Sequence, residues 1–244
     1  MKATSAAQRS LLDLQALDTD VTRIAHRASH LPEIAAIAAL VADRDALRGR
    51  LATELGAVED ARTDLSRIES DVSVVDARIS RDTERLSGSS SAKDASALES
   101  ELVSLNRRKE TLEDAELEVM ERLESAEAVY GETAASDASL STRIGELEAA
   151  RDASRADLDR ELVALQATRS SLVATIDDAL LATYERSRTR SGFGAALLRA
   201  GTCGACTMTL TGNDLAAVRS APADDVLSCP ECGAVLVRTE ESGL

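Results

Sequence analysis

The sequence predicts a mostly α-helical protein, in which a long antiparallel coiled-coil hairpin precedes a small, β-rich C-terminal module. Three observations lead to this prediction. Apolar residues recur at seven-residue intervals over most of the chain. A short run of small polar residues, 87–92, interrupts that repeat. All four cysteines lie beyond residue 200 and form two CxxC pairs.

The composition favours long helices over a compact α/β enzyme. Of the 244 residues, 44% are hydrophobic and 29% are charged, but only 1% are aromatic. A globular core normally uses Phe, Tyr and Trp, because each of these side chains buries about 150–250 Å². Here Ala, Leu, Val and Ile must form the core, as they do where amphipathic helices pack side by side.

The formal net charge of −15 argues against a protein that simply coats nucleic acid, because such proteins present a basic surface. Residues 1–15 lack the apolar segment of a secretion signal. The longest apolar run, 34–42, is far shorter than the roughly 20 residues of a membrane helix. We therefore expect a cytoplasmic protein without membrane association.

The first predicted helix covers residues 11–31, where apolar residues step by three and four. Pro32 predicts a break or kink near residues 31–33, because proline lacks an amide donor and disfavours helix at the preceding residue. This segment can extend the first arm of the hairpin or pack back on the second. The first arm then carries a strict heptad row, which predicts a left-handed supercoil: Leu51, Val58, Leu65, Val72, Ile79 and Leu86.

The run Ser87–Ala92 predicts the hairpin turn, with a disordered tether as the alternative. Heptads resume at Leu98 and continue to about Tyr184, so the predicted arms are 33–86 and 94–185. We expect a bend or loosened packing within 130–141, where small and polar residues weaken the repeat. The predicted domains are a helical hairpin over 1–190, with its turn near 87–93, and a second domain over 191–244.

The cysteines predict a metal centre in the second domain. Their spacing, in a chain without a secretion signal, indicates metal binding rather than disulfides. Four thiolates match the closed tetrahedral set of structural zinc, and they leave no open position for a catalytic ion. A redox CxxC would need a βαβ context, whereas an iron site has compatible ligands and stays open. We expect one structural Zn²⁺ with four ligands: Cys203, Cys206, Cys229 and Cys232.

The surrounding segments predict a zinc ribbon. Residues 195–199 and 235–238 are predicted strands, and 213–219 is a predicted short helix capped by Thr211 or Asn213. Because so small a module has little core, we expect the metal to supply most of its folding free energy.

No constellation in the sequence argues for an enzyme. The two histidines, His26 and His30, are spaced i, i+4, but no third ligand is evident, and we interpret them as solvent-facing. Two histidines leave little scope for a Ser/His/Asp triad, and there is no glycine-rich phosphate loop.

Three segments resemble the bacterial C4-type zinc-ribbon family with an N-terminal coiled coil, the DUF164 or zf-RING_7 family. They are Arg85–Gly88, Leu112–Glu121, and Tyr184–Arg186 with the cysteine motifs that follow. The chain departs from the family at Ser91–Asp94, where members often have Asn-Pro-Lys-Glu, and after Gly233, where a basic residue often follows. The resemblance implies an adaptor or a nucleic-acid-binding zinc-ribbon protein, with a role that depends on lineage. The RING label implies no ubiquitin ligase, because a RING cross-brace needs twice as many ligands.

Two functions follow as hypotheses. The first is a non-enzymatic adaptor or scaffold that presents the ribbon to an unidentified protein partner or to RNA. The second is nucleic-acid binding by the ribbon, in transcription or post-transcriptional regulation. Phe193 is the only nearby aromatic residue, so we expect any RNA or DNA binding to be weak. The candidate partner contacts are four arginines that lie near Phe193 in the sequence: Arg186, Arg188, Arg190 and Arg199. The heptads allow a monomer or a homodimer.

Overall fold

The computed structural model describes residues 1–243 and confirms the mostly α-helical fold with a small C-terminal sheet. The helices are α1 (Ser5–Ser29), α2 (Pro32–Ser87), α3 (Ala92–Val173), α4 (Asp178–Ser191) and α5 (Gly212–Ser220). The strands are β1 (Ala195–Arg199), β2 (Thr202–Cys203), β3 (Leu227–Ser228) and β4 (Val235–Val237), followed by a 3₁₀ turn at Glu240–Ser242. Contacts divide the chain into two units, residues 33–149 and residues 1–32 together with those from 150 onward.

Within the unit 33–149, α2 and α3 form the antiparallel hairpin. Seam residues such as Val58, Ala61 and Leu112 are buried. In the ion pairs between the helices, the residue number of the α2 partner rises as that of the α3 partner falls, as antiparallel pairing requires. These pairs are Asp64–Arg122, Asp76–Lys109 and Arg78–Glu101. These pairs are mostly exposed, so each contributes at most about 1 kcal/mol, and the apolar seam supplies most of the stability.

α3 runs unbroken through residues 130–141, where the sequence predicts a bend or loosened packing. A glycine inside a helix costs only about 1 kcal/mol relative to alanine, which neighbouring packing readily offsets. Thr133 is itself buried in this unit and accepts a hydrogen bond from Arg50 at 3.5 Å.

The second arm does not continue to residue 185 as predicted. α3 ends at Val173, and α4 begins at Asp178 with Asp177 as its N-cap. The Asp177 carboxylate accepts hydrogen bonds from the amides of Ala179 at 3.0 Å and Leu180 at 3.2 Å. A cap of this kind starts a new helix because it satisfies amides that otherwise have no partner.

α1 ends at Ser29, as the proline predicts, and it packs back on α4 and the last turns of α3. Its residues Leu11 and Leu14 share one buried cluster with Leu180 and Tyr184 of α4, and with the sheet. The sheet contributes Ala195, Val235 and Val237. The helices of this unit and the small sheet therefore form a common core.

The sheet order is β2-β1-β4-β3, with β1 and β4 parallel and both outer pairs antiparallel. Side chains of β1 and β4 alternate between two faces. Ala195 and Val235 face the helices, whereas Ala196 and Leu236 pack with the cysteines and Val218 of α5. The predicted strands and short helix are thus present. The predicted division into a helical hairpin over 1–190 and a zinc ribbon over 191–244 stays a prediction.

Within residues 1–243, no helix combines the length and the apolar character that crossing a membrane requires.

Candidate metal centre

The four cysteines come together at two turns, one that begins at Cys203 in β2 and one that follows β3. All four sulfur atoms lie within 4.8 Å of one another. The Sγ atoms of Cys203 and Cys232 are 3.9 Å apart, and those of Cys206 and Cys229 are 3.8 Å apart. Tetrahedral zinc with bonds of about 2.3 Å would place its sulfur ligands about 3.8 Å from one another. The donor set and its spacing fit one structural zinc ion.

The two CxxC turns have the same backbone geometry. The amide of Cys203 donates to the carbonyl of Met208, and the amide of Cys229 donates to the carbonyl of Ala234, both at 2.9 Å. Thr207 and Gly233 occupy equivalent positions, four residues after the first cysteine of each turn. Both adopt left-handed backbone conformations, with φ of 62° and 76°. Only the second turn uses glycine, so the first turn holds a threonine in a conformation that favours glycine.

The site is half enclosed, because the first cysteine of each pair is buried and the second is partly exposed. Burial raises the pKa of the Cys203 thiol, and it raises the pKa of Cys232 to about 12. A hydrogen bond with the Met208 backbone lowers the pKa of Cys206. Zinc ligation requires all four thiolates, so metal binding releases protons.

A buried polar network joins the ribbon to α1. The side-chain oxygen of Gln15 accepts hydrogen bonds from the amides of Gly194 at 2.7 Å and Ala195 at 3.4 Å. Asp18, only 5% exposed, accepts from the hydroxyl of Tyr184 at 2.7 Å and from Nε of Arg169 at 2.6 Å. These contacts place the start of β1 at a fixed position on the helices.

The charges in this network perturb one another. Burial, followed by the hydrogen bond to Asp18, raises the pKa of Tyr184 well above its ordinary 10.0. Hydrogen bonds to Asp18 and Glu185 raise the pKa of Arg169. Sequence reasoning missed this network, because its members lie up to 180 residues apart. The only signal in the sequence is a pair of polar residues, Gln15 and Asp18, beside the apolar positions of α1.

The four arginines predicted as partner contacts have different surroundings. Arg186 and Arg190 line a cleft of about 450 Å³ beside the second CxxC turn, and Arg190 donates to the carbonyl of Cys232 at 3.1 Å. Arg188 instead pairs with Asp18 and Glu185. Arg199 pairs with Glu241 at 3.2 Å.

His26 and His30 are both exposed, and their rings stack with centroids 4.0 Å apart. Among the residues that the structure describes, the cysteine group alone unites three or more side chains able to hold a metal ion.

Comparisons with known proteins agree with this architecture. Residues 14–192 match the CT398-like coiled coil hairpin domain, and residues 202–236 match the C4-type zinc ribbon domain. Neither is a known enzyme family. The chain is 41% identical over 241 residues to an uncharacterized protein of Mycobacterium tuberculosis, with 98% of each chain covered.

Two solved structures share the fold. A Mycobacterium smegmatis protein aligns with a TM-score of 0.88 at 38% identity, covering 98% of this chain and 100% of the other. CT398 from Chlamydia trachomatis aligns with a TM-score of 0.65 at 19% identity, covering 95% and 97%, which indicates a common fold only. The chain therefore belongs to the family of proteins with a CT398-like coiled-coil hairpin, and it carries a C4-type zinc ribbon with one structural zinc site.

Proposed function

We propose that this chain is a non-enzymatic adaptor whose zinc ribbon, fixed on α1 and α4, binds a partner protein. Four cysteine ligands close the metal site, so the metal has a structural role and no position for substrate. The shared core and the polar network hold the ribbon in one position on the helices. A partner therefore meets a preformed surface and loses little affinity to ordering it.

An apolar cleft beside the ribbon carries the proposal. Leu12 of α1 and Leu197 of β1 line this cleft of about 440 Å³, together with Phe193, the only phenylalanine in the chain. Phe193 is 39% exposed, although a buried cluster begins two residues later. Exposed aromatic side chains beside a cleft are typical anchors of protein interfaces.

Protein capture tests the proposal: the zinc-loaded full chain is used as bait in a nuclease-treated extract of the cells that produce it. Proteins retained by the native chain should be lost with Phe193→Ser and kept with Val163→Ser, which alters an even more exposed apolar residue, on α3. Chemical cross-links between the native chain and a retained protein should map to residues 193–208 of the chain. Identical retention by both variants would contradict the proposal.

Nucleic-acid binding is the second candidate, and the cleft beside the second CxxC turn favours it. Arg186 has no ion-pair partner within residues 1–243 and shares this cleft with Arg190 and Ser228. Unpaired guanidinium groups bind phosphate oxygens, with an affinity that falls as salt rises.

Arg186→Ala tests this candidate, since Arg190 also supports the CxxC turn. Binding of the zinc-loaded chain to single- and double-stranded RNA and DNA should weaken with Arg186→Ala and recover with Arg186→Lys. Arg219→Ala is the matched control, because Arg219 is exposed on α5 and lies outside the cleft. Equal losses for Arg186→Ala and Arg219→Ala would indicate non-specific attraction.

A further inference from the structure

Two large apolar side chains of α3 lie outside the seam of the hairpin. Leu117 is 60% exposed and Met120 is 48% exposed. Residues three apart on a helix are neighbours on one face, so these side chains form a continuous apolar surface. Outward positions of a coiled coil normally carry polar residues. Packing within the hairpin therefore does not explain this pair.

Leu117 and Met120 border a groove between the two helices. The groove has a volume of about 320 Å³, and half-buried seam residues Leu65 and Leu123 contribute to its lining. Its remaining lining residues are the glutamates Glu121, Glu124 and Glu127. We name these seven residues the acid-rimmed groove. All of them belong to the unit 33–149.

The charge of the acid-rimmed groove is only partly compensated. Glu127 pairs with Arg62 at 2.5 Å. Over residues 1–243, neither Glu121 nor Glu124 has an ion-pair partner. A cationic ligand would find two available carboxylates beside an apolar surface, and such complementarity selects partners by charge.

A second copy of the chain is a poor occupant. It would bring the same carboxylates towards those of the first copy, and each chain carries a formal net charge of −15. Like charges across an interface disfavour association. The occupant must therefore differ from this chain and carry positive charge.

We propose that the acid-rimmed groove binds a basic amphipathic helix of a partner protein. Apolar side chains at i, i+3 or i+4, and i+7 of that helix pack against Leu117, Met120 and Leu65. Its flanking Lys and Arg residues pair with Glu121 and Glu124. The groove contains no part of the zinc ribbon, so this proposal stands or fails independently of the ribbon's function.

Fluorescence anisotropy with a labelled peptide tests the proposal. The probe is an amphipathic peptide of about 15 residues, composed of Leu and Lys at helical spacing, which is long enough to form a helix when bound. The partner is the zinc-loaded full chain. We expect saturable binding that weakens as salt rises, because exposed ion pairs are screened. A peptide with Glu in place of Lys, and a scrambled Leu/Lys peptide, should bind at least about tenfold more weakly.

Variants of the groove show where the peptide binds. The double variant Leu117→Ser/Met120→Ser should weaken binding by about tenfold or more, as expected for central apolar anchors. Glu121→Gln/Glu124→Gln should weaken binding and reduce its salt dependence. Val103→Ser is the matched control, since Val103 is 65% exposed elsewhere on α3. Circular dichroism should show all variants folded, because the altered side chains are exposed.

Two results would overturn the proposal. Unchanged affinity in Leu117→Ser/Met120→Ser would mean that the peptide binds another acidic surface. Sedimentation of the native chain as a dimer, and of this variant as a monomer, would identify a second copy as the occupant.

Discussion

At the scale of single residues, two glycines set how closely α4 approaches the ribbon. A Cβ at Gly194 would lie 2.3 Å from the ring of Tyr184, and a Cβ at Gly233 would lie 1.5 Å from Nη2 of Arg190. The Tyr184 ring is fully buried, whereas Arg190 is exposed and can move. A Cβ at Gly194 is therefore harder to accommodate than a Cβ at Gly233.

Gly194→Ala should lower the free energy of unfolding by about 1–3 kcal/mol, because overpacking forces the ring or the start of β1 to shift. Gly131→Ala is the matched control, since nothing lies within 4 Å of a Cβ at this position in α3. It should raise the free energy of unfolding by about 0.5–1 kcal/mol. Urea unfolding followed by circular dichroism measures both. Equal effects of the two substitutions would contradict the packing argument.

Tyr184→Phe should cost about 1–2 kcal/mol at neutral pH, because it removes a buried hydrogen bond to the Asp18 carboxylate. The pKa of Tyr184 is raised in the folded chain above its ordinary 10.0. The folded chain thus keeps this proton while the unfolded chain loses it above pH 10.0, and the stabilisation declines as pH rises.

The difference in unfolding free energy between the native chain and Tyr184→Phe should therefore narrow as pH rises above the pKa of Tyr184 in the unfolded chain. The expected decrease is about 1.4 kcal/mol per pH unit. Urea titrations at neutral pH and at about pH 11 measure this difference. A difference that stayed constant or widened would show that Tyr184 does not hold its proton.

At the scale of elements, the interruption between α3 and α4 shows where periodicity is a poor guide. Leu172, Ile176 and Leu180 remain spaced by four residues across it, so the apolar pattern alone predicts an unbroken helix. The local signals are the β-branched pair Thr175-Ile176 and the capping residue Asp177. Helix ends depend on such single hydrogen bonds, which hydrophobic spacing does not contain.

The metal centre could be predicted because its information is local. Each CxxC pair places two sulfurs on one turn, whatever the rest of the chain does. By contrast, the Asp18–Arg169 and Tyr184–Gln15 contacts join residues at least 151 positions apart. Such pairs depend on tertiary packing. The sequence could therefore suggest the arginines near the ribbon but not that Arg188 turns inward to Asp18.

Asp177→Ala should destabilise the protein by about 1 kcal/mol, the usual contribution of a capping side chain. The matched control is Asp178→Ala, because Asp178 occupies the first turn of α4 without capping it. Its effect should be smaller, since only a favourable interaction with the helix dipole is lost. Thermal unfolding by circular dichroism measures both. An effect of Asp178→Ala equal to that of Asp177→Ala would argue against the cap.

At the scale of the whole molecule, the two units have different sources of stability. The unit 33–149 consists of α2 and part of α3, and its apolar seam requires no metal. In the other unit, β1 and β4 have one face on a helical core and one on the cysteine cluster. The face towards the helices can form without metal. The face towards the cysteines cannot hold four thiolates together unless a cation offsets their charge.

Removal of zinc by a chelator should therefore unfold the two CxxC turns and leave the hairpin intact. Structural zinc in small modules contributes about 10–16 kcal/mol of apparent binding free energy, which no other contact of these turns can replace. Hydrogen exchange should show lost protection at the amides of Cys203, Thr207, Cys229 and Gly233, all of which donate within the turns. Amides of residues 33–149 should keep their protection. Readdition of one equivalent of zinc should restore the turns, whereas protection that survived chelation would show that the ribbon folds without its metal.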